Sequence, residues 1–382
     1  MTTAMAKKKE EIQSDNPKDY GLDKMSLVEL EEALEFSKQE KNDHMVELLG
    51  EQIKFKKRME KKKAEISKNF AKMSAITDKI DFKQVAMKPQ EWVNMSSAFK
   101  ETLRQPGIPM GHTSMVYGHS DVGKTTMAVE LATFAQKQGI FPVMIITENK
   151  FSTERAEIMG LITEKNYCHI HNDVDTIEEG CDIIDNYIKM QEDGKFPMDI
   201  VFIWDSIGQT QSDAERNAIE AGKGSGGMMS TARVIHQRIK RHICKKINGS
   251  RREDYPYTNS LFFVNHAYTK PPTPPATMSS LAPYGGEGIW LAATFVIQMG
   301  GVTSRSSKVE ATKDGVKVSF AIRSAIKLAK NHVNNVSARG KILCTDHGFI
   351  MDDKKAIDEY KASTKEDWSL EYDNDWDQVG TD

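Results

Sequence analysis

Four cysteines are scattered through 382 residues with no regular spacing. That scarcity excludes a disulfide-stapled scaffold and points to a reducing compartment. Long apolar runs are also lacking, since no stretch approaches the ~18 residues a membrane-spanning helix needs. No secretory leader is visible, so the expected location is the cytoplasm, with no membrane partner. Cys168, His169 and His171 lie close together, but alternate strand positions scatter side chains to both faces. No second ligand pair follows at finger spacing, so a structural role is expected there. Hydrophobic residues are few at 39% and charged ones plentiful at 28%, which predicts exposed helical or disordered ends around an ordinary core. The net charge of −3 excludes nothing, because averaging hides its distribution.

What is present is sharper. Residues 116–126 read VYGHSDVGKTT, and Gly118, Gly123, Lys124 and Thr125 meet the pattern G-x-x-x-x-G-K-[ST]. Glycines let the loop His119, Ser120, Asp121, Val122 turn its backbone N–H groups onto an anion. The helix that follows adds a positive partial charge, Lys124 reaches the β- and γ-phosphates, and the Thr125 hydroxyl is a ligand for Mg²⁺. Thr126 completes the cradle. Ser114 to Tyr117 reads as a short strand and Met127 to Gln136 as an apolar-faced helix, the context this motif requires. A nucleoside triphosphate site is expected.

The chain divides into four pieces. Residues 1–23 are polar, Lys-rich and expected to be disordered. Residues 24–75 read as a helical hairpin: Ser26 and Glu29 form a capping-box signature, and Asn42-Asp43 marks the turn. Its second arm carries a basic cluster from Lys54 to Lys63, either a solvated face or a contact to nucleic acid or a partner. Residues 76–352 form the core, opening with a lone strand over 80–87. Near-continuous apolar runs at 142–147, 199–204, 260–265 and 293–299 suit strands buried on both faces of a mostly parallel α/β sheet. Residues 353–382 are a C-terminal helix and an acidic tail, in which Glu366 to Asp382 hold seven acids, no base, and Trp368, Tyr372 and Trp376.

A phosphate site of this kind needs a second acid near the metal, and DIVFIWDS supplies Asp205 where a strand leaves the carboxyl edge. Glu148 ends PVMIIT at the same edge and suits a general base. Asn265 and His266 end a third strand there, placed to sense the γ-phosphate. Two unusual loops follow. One surrounds GKGSGG (222–227). The other, 267–288, holds five prolines with Gly285 and Gly286, and shows no periodicity. From Arg216 to Arg252 ten Lys or Arg, among them Lys223 and Arg233, face the single acid Glu220, a local balance of +9. So one-sided an excess beside flexible loops is read as a DNA footprint, with Lys270 contributing from the second loop.

With these residues in hand, the chain resembles the RecA/UvsX family of DNA strand-exchange recombinases, the phage UvsX-like branch most of all. The resemblance runs over residues 76–352 and is densest in GIPMGHTSMVYGHSDVGKTT, ITEN, FIWDSIG, FFVNH and YGGEG. It implies a RecA-type P-loop ATPase core that uses ATP and Mg²⁺ and assembles as a helical filament on single-stranded DNA to pair it with double-stranded DNA. It also implies loader or single-strand-binding partners in a bacterial or phage-infected cytoplasm. By the resemblance, Glu148 is the catalytic base, Asp205 the metal-side acid and His266 the phosphate sensor. Residues near 208–230 and 267–288 form two DNA loops. Lys330 reaches a neighbour's ATP, with His332 standing where the family prefers Lys or Arg. The family stacks an aromatic ring on adenine; here Arg155 occupies that offset and Phe151 lies nearby, and either could cover the base.

Two other readings stay open. A hexameric DNA helicase would need a late arginine finger, for which Arg323 and Arg339 are available. A non-catalytic scaffold would bind nucleotide structurally, against which the complete set Lys124, Thr125, Glu148 and Asp205 argues.

Overall fold

The computed structural model describes residues 20–22, 24–77, 85–148, 151–222, 228–272, 279–300, 307–313 and 316–363. Lys223, most of the strand expected at 80–87 and the acidic tail lie outside the described residues. The chain divides into two compact units, Met1–Gln84 and Val85–Asp382.

The first unit is built on α1 (Leu27–Gln39) and α2 (Asp43–Thr77). The capping box forms: Ser26 Oγ accepts from the Glu29 amide at 3.3 Å, and Glu29 Oε2 accepts from the Ser26 amide at 2.6 Å. The Asn42 side chain caps α2 by accepting from the Met45 amide. Leu30, Leu48, Leu49 and Ile53 make a small buried seam between the helices, and Lys57 pairs with Glu31 at 2.7 Å. Within the basic cluster the side chains beyond Ile53 are mostly exposed.

The second unit opens with β1 (Trp92–Asn94), α3 (Ser97–Leu103) and β2 (Gly107–Pro109). Alternation then sets in: β3 (Thr113–Gly118), α4 (Lys124–Lys137), β4 (Phe141–Ile146), α5 (Thr153–Ile158), β5 (His169–His171), α6 (Ile177–Glu192) and β6 (Ile200–Asp205). After β6 come α7 (Asp213–Glu220), α8 (Met228–Val234), a π-helix over Ile235–Ile243 and α9 (Cys244–Gly249). The rest is β7 (Asn259–Lys270), β8 (Ser280–Pro283), α10 (Gly286–Ala292), β9 (Phe295–Met299), β10 (Ser307–Lys313), β11 (Val316–Asn331), β12 (Arg339–Thr345), β13 (Gly348–Met351) and α11 (Lys354–Ser363).

The main sheet runs β13-β12-β11-β9-β3-β7-β6-β4-β5. From β9 to β5 neighbours are parallel; β11, β12 and β13 extend it in antiparallel fashion. The parallel strands are apolar on both faces because each face has its own core. Val116, Met144, Ile146, Ile203 and Val264 pack beneath α4, while Met115, Val143, Phe202, Trp204 and Phe263 pack against α6 and the π-helix. Burying side chains of this size contributes about 1.5–3 kcal/mol each. Ile235, Ile239, Ile243 and Ile247 are all buried. Their strict four-residue spacing would drift around an α-helix of 3.6 residues per turn, and the wider π turn in their midst holds them on one stripe.

One expectation is sharpened and one corrected. Cys168 and the histidines part, Cys168 entering the core beneath α4, while His169 and His171, two positions apart on β5, both reach the Tyr187 hydroxyl of the other core, His171 at 3.1 Å. The proline-rich segment is not wholly irregular, since Ala267–Lys270 pairs antiparallel with Ser280–Pro283. The hairpin arms were masked by the prolines between them, and 273–278 lie outside the described residues.

Candidate functional site

Strand alternation decides which side chains meet at the carboxyl edge. Val116, Ile146, Ile203 and Val264 all belong to the core beneath α4. Two residues further along each chain come Gly118, Glu148, Asp205 and His266, so all four leave the sheet on the side of α4. The order β3-β7-β6-β4 sets them side by side, with Gly118 opposite His266 and Asp205 opposite Val264 and Ile146.

The loop between β3 and α4 has the shape its glycines allow. A Cβ on Gly118 would sit 2.2 Å from the Met299 carbonyl oxygen, and Gly123, which caps α4, has φ of +91°. Val122 is buried beneath the loop, and its carbonyl accepts from Ser324 Oγ at 2.8 Å. Lys124 folds back so that Nζ donates to the His119 carbonyl at 2.6 Å. Thr125 Oγ1 donates to Asp205 Oδ2 at 2.8 Å, which joins the two candidate metal ligands directly. Burial pushes the Asp205 carboxyl up to about 6; the Thr125 hydrogen bond opposes this, the charge of Glu148 adds to it, and Lys124 and His266 oppose it.

Glu148 is held on both sides. Its Oε1 accepts from Ser206 Oγ and lies 2.7 Å from His266 Nε2. His266 Nε2 is also 3.1 Å from the side-chain amide of Gln209. A cleft of about 390 Å³ opens here, lined by His119, Ser120, Gly208, Gln209, His266 and Tyr284. Sequence reasoning missed Gln209, although a polar residue four positions after a strand-ending Asp was a visible signal.

The other candidates divide. Arg155, on α5, reaches into the cradle: Nη2 donates to Thr126 Oγ1 at 3.3 Å, and Nε lies 3.8 Å from Asp346. Phe151 instead packs against the core beneath α4, so Arg155 is the one of the two that the structure leaves beside the phosphate loop. Lys330 is engaged within its own chain, donating to the carbonyls of Trp290 at 2.8 Å and Ala293 at 2.6 Å at the end of α10; burial, with Lys240 nearby, lowers its pKa. His332 is exposed. Gly285 has φ of +84° and caps α10, which begins at Gly286, and Lys270 is exposed at the end of the hairpin arm. Arg323 does not stand ready as a finger: its Nε donates to Asp352 at 2.9 and 3.0 Å. Arg339 is exposed at the start of β12.

The basic run is corrected most. Arg216 donates to Glu179 at 3.0 Å and Asp213 at 3.4 Å, and the Glu179 hydrogen bond raises its pKa. Arg238 pairs with Asp182, Lys246 with Asp185 at 2.7 Å and Arg252 with Asp254 at 2.6 Å. Acids of α6 therefore offset charges that a count along 216–252 leaves unopposed. The run also leaves the site: Arg251 Nη1 donates to His112, just before β3 begins, at the opposite edge of the sheet. Among the described residues Arg233, Lys240, Arg241 and Lys245 have no ion-pair partner within 4 Å. Of these, Arg233 lies on α8, the helix that packs against α7.

No helix among the described residues is long and apolar enough to cross a membrane. Sequence comparison supplies the family. The RecA N-terminal domain matches residues 57–261, more than half of the chain. The RecA protein of Nitratidesulfovibrio vulgaris (Miyazaki F) is 25% identical over 227 residues, covering 59% of this chain and 56% of that protein. The RecA protein of Oleidesulfovibrio alaskensis is 26% identical over 232 residues, with coverages of 59% and 56%. The RecA protein of Mycolicibacterium smegmatis is 24% identical over 311 residues, covering 77% of this chain and 79% of its own. The chain thus spans little more than half the length of the first two relatives. A phosphate-loop sheet with this strand order, carrying that domain match, belongs to the RecA family.

Proposed function

We propose that the protein is a DNA-dependent ATPase that assembles on single-stranded DNA as a helical filament and promotes homologous pairing and strand exchange. The observation that carries the reading is the double contact at one sheet edge, Thr125 with Asp205 and Glu148 with His266, around a loop shaped for phosphate. The chain's similarity to RecA proteins supports it.

Thr125 and Asp205 offer a hydroxyl and a carboxylate oxygen, the hard donors that Mg²⁺ takes together with phosphate oxygens. They would hold the ion, which when bound neutralises charge on the phosphates. Lys124 places a point charge on the transferring phosphate, and the backbone of 118–125 cradles its neighbours. Glu148, oriented by Ser206 and His266, accepts a proton from water at Oε1 or Oε2. Arg155, hydrogen-bonded to Thr126 Oγ1, would cover the adenine ring. Tyr284, which lines the cleft, and Tyr268 present exposed rings with centroids 5.5 Å apart and offer stacking surfaces for unpaired bases. Lys330 and His332 are proposed to face a neighbouring subunit in the filament. The Asn265–His266 ending supports a place near the UvsX-like branch.

Electron microscopy with single-stranded DNA and a slowly hydrolysed ATP analogue tests the proposal. Helical filaments are expected; closed rings would favour a hexameric motor, a reading that loses ground with Arg323 bound to Asp352.

A further inference from the structure

His266 Nε2 has one in-plane hydrogen-bonding position and two partners, Glu148 Oε1 at 2.7 Å and the Gln209 amide at 3.1 Å. An imidazole nitrogen that carries hydrogen donates to one acceptor well. The Glu148 carboxylate is the stronger acceptor, and half a turn of the Gln209 amide presents a second one. We infer that Gln209 is a positioning residue that takes over His266 when Glu148 turns to its water, and so links the hydrolytic base to the segment from Ile207 to Glu220. The inference rests on the nucleotide reading of the site.

The fold gives this link somewhere to go. Gln209 ends a short 3-10 turn over Ile207–Gln209, four residues before α7 begins at Asp213. The turn is not free to drift. Thr210 Oγ1 donates to the Ser206 carbonyl at 2.9 Å, and a Cβ on Gly208 would lie 2.3 Å from Asn265 Oδ1. These ties stiffen the turn, so a change of partner at Gln209 is passed along it towards α7 rather than taken up by local drift. The second DNA segment has a backbone connection of its own, and Tyr284 also lies against the turn, its Cβ 3.2 Å from where a Cβ on Gly208 would stand. The segment continues from His266 along β7, and Tyr284 is tied to that strand by its amide on the His266 carbonyl at 3.0 Å and by its carbonyl on Asn265 Nδ2 at 2.9 Å. His266 thus stands at a fork, with its side chain leading to one DNA segment and its backbone to the other.

The two branches can be separated. Gln209→Met keeps the length of the side chain and removes its hydrogen bonding, whereas Gln209→Glu keeps an acceptor. Hydrogen–deuterium exchange is followed in peptides covering 207–220 and 279–288, with and without ATP and Mg²⁺, in the full chain. Wild type is expected to show nucleotide-dependent protection in both. Gln209→Met should lose it in 207–220 and keep it in 279–288, and Gln209→Glu should restore part of it. Retention of both responses in Gln209→Met overturns the link, and so does loss of both. No response in wild type would instead overturn the nucleotide reading itself.

Discussion

Asp205→Asn should make the nucleotide-free protein more stable, by an amount that grows with pH. The folded carboxyl titrates at about 6 against an ordinary value of 3.8. Below both values each state is protonated, and the group contributes nothing. Between them the unfolded chain releases its proton while the folded one retains it, so stability falls as pH rises. Above about 6 the cost is complete, roughly 3 kcal/mol for two pKa units. At about pH 4.5 it is about 1 kcal/mol by the same linkage. Asparagine removes the titration and still offers Thr125 an acceptor oxygen. The gain over wild type should therefore rise from about 1 to about 3 kcal/mol between about pH 4.5 and pH 7.5. In urea at a slope of about 3 kcal/mol per molar, that larger gain moves the midpoint by about 1 M. Tryptophan fluorescence reports on it, since Trp204 is buried next to the substitution. ATP with Mg²⁺ should then stabilise wild type more than the variant, because the variant has lost the charge that suits the cation. A gain independent of pH, or none at pH 7.5, would refute the reasoning.

Lys124→Ala should abolish ATP hydrolysis in a phosphate-release assay, since it removes the point charge that the phosphate loop brings to the transferring phosphate. Glu148→Gln should leave nucleotide affinity close to wild type and lower turnover by about 10²-fold or more, because its oxygen still accepts from Ser206 while proton abstraction is lost. DNA binding should depend steeply on salt and little on sequence. Arg233→Ala should lower the salt slope by about one and Arg252→Ala should leave it unchanged, because Arg252 is paired with Asp254 beside the opposite edge. Equal slopes for the two variants would remove Arg233 from the DNA surface.

The phosphate loop was legible in the sequence because its information is local: two glycines, a lysine and a threonine within eight residues. The parallel strands were legible too, since burial on both faces writes an unbroken apolar run. What failed were pairings between distant side chains that no motif or strand end announces. The charge run reads as +9 only until α6 is brought alongside, and Asp182 is 56 residues from Arg238. Gln209 meets His266 across 57 residues, so neither names the other in the chain. The hairpin arms of 267–270 and 280–283 are four residues long, too short to write a period of two.

The site is encoded in register as much as in residue type. Asn265 and His266 are consecutive, so a strand sends them to opposite faces. His266 faces α4 and meets Glu148, whereas Asn265 touches Met115 in the other core and holds the Tyr284 carbonyl. One slip of β7 against its neighbours would exchange them, putting an amide beside Glu148 and an imidazole among apolar side chains. Seven fully or nearly fully buried residues in β7, from Asn259 to Asn265, resist that slip on both sides of the sheet. The apolar run that looks like mere core is therefore what aims the histidine at Glu148, and its two faces are why the neighbouring amide reaches Tyr284 instead.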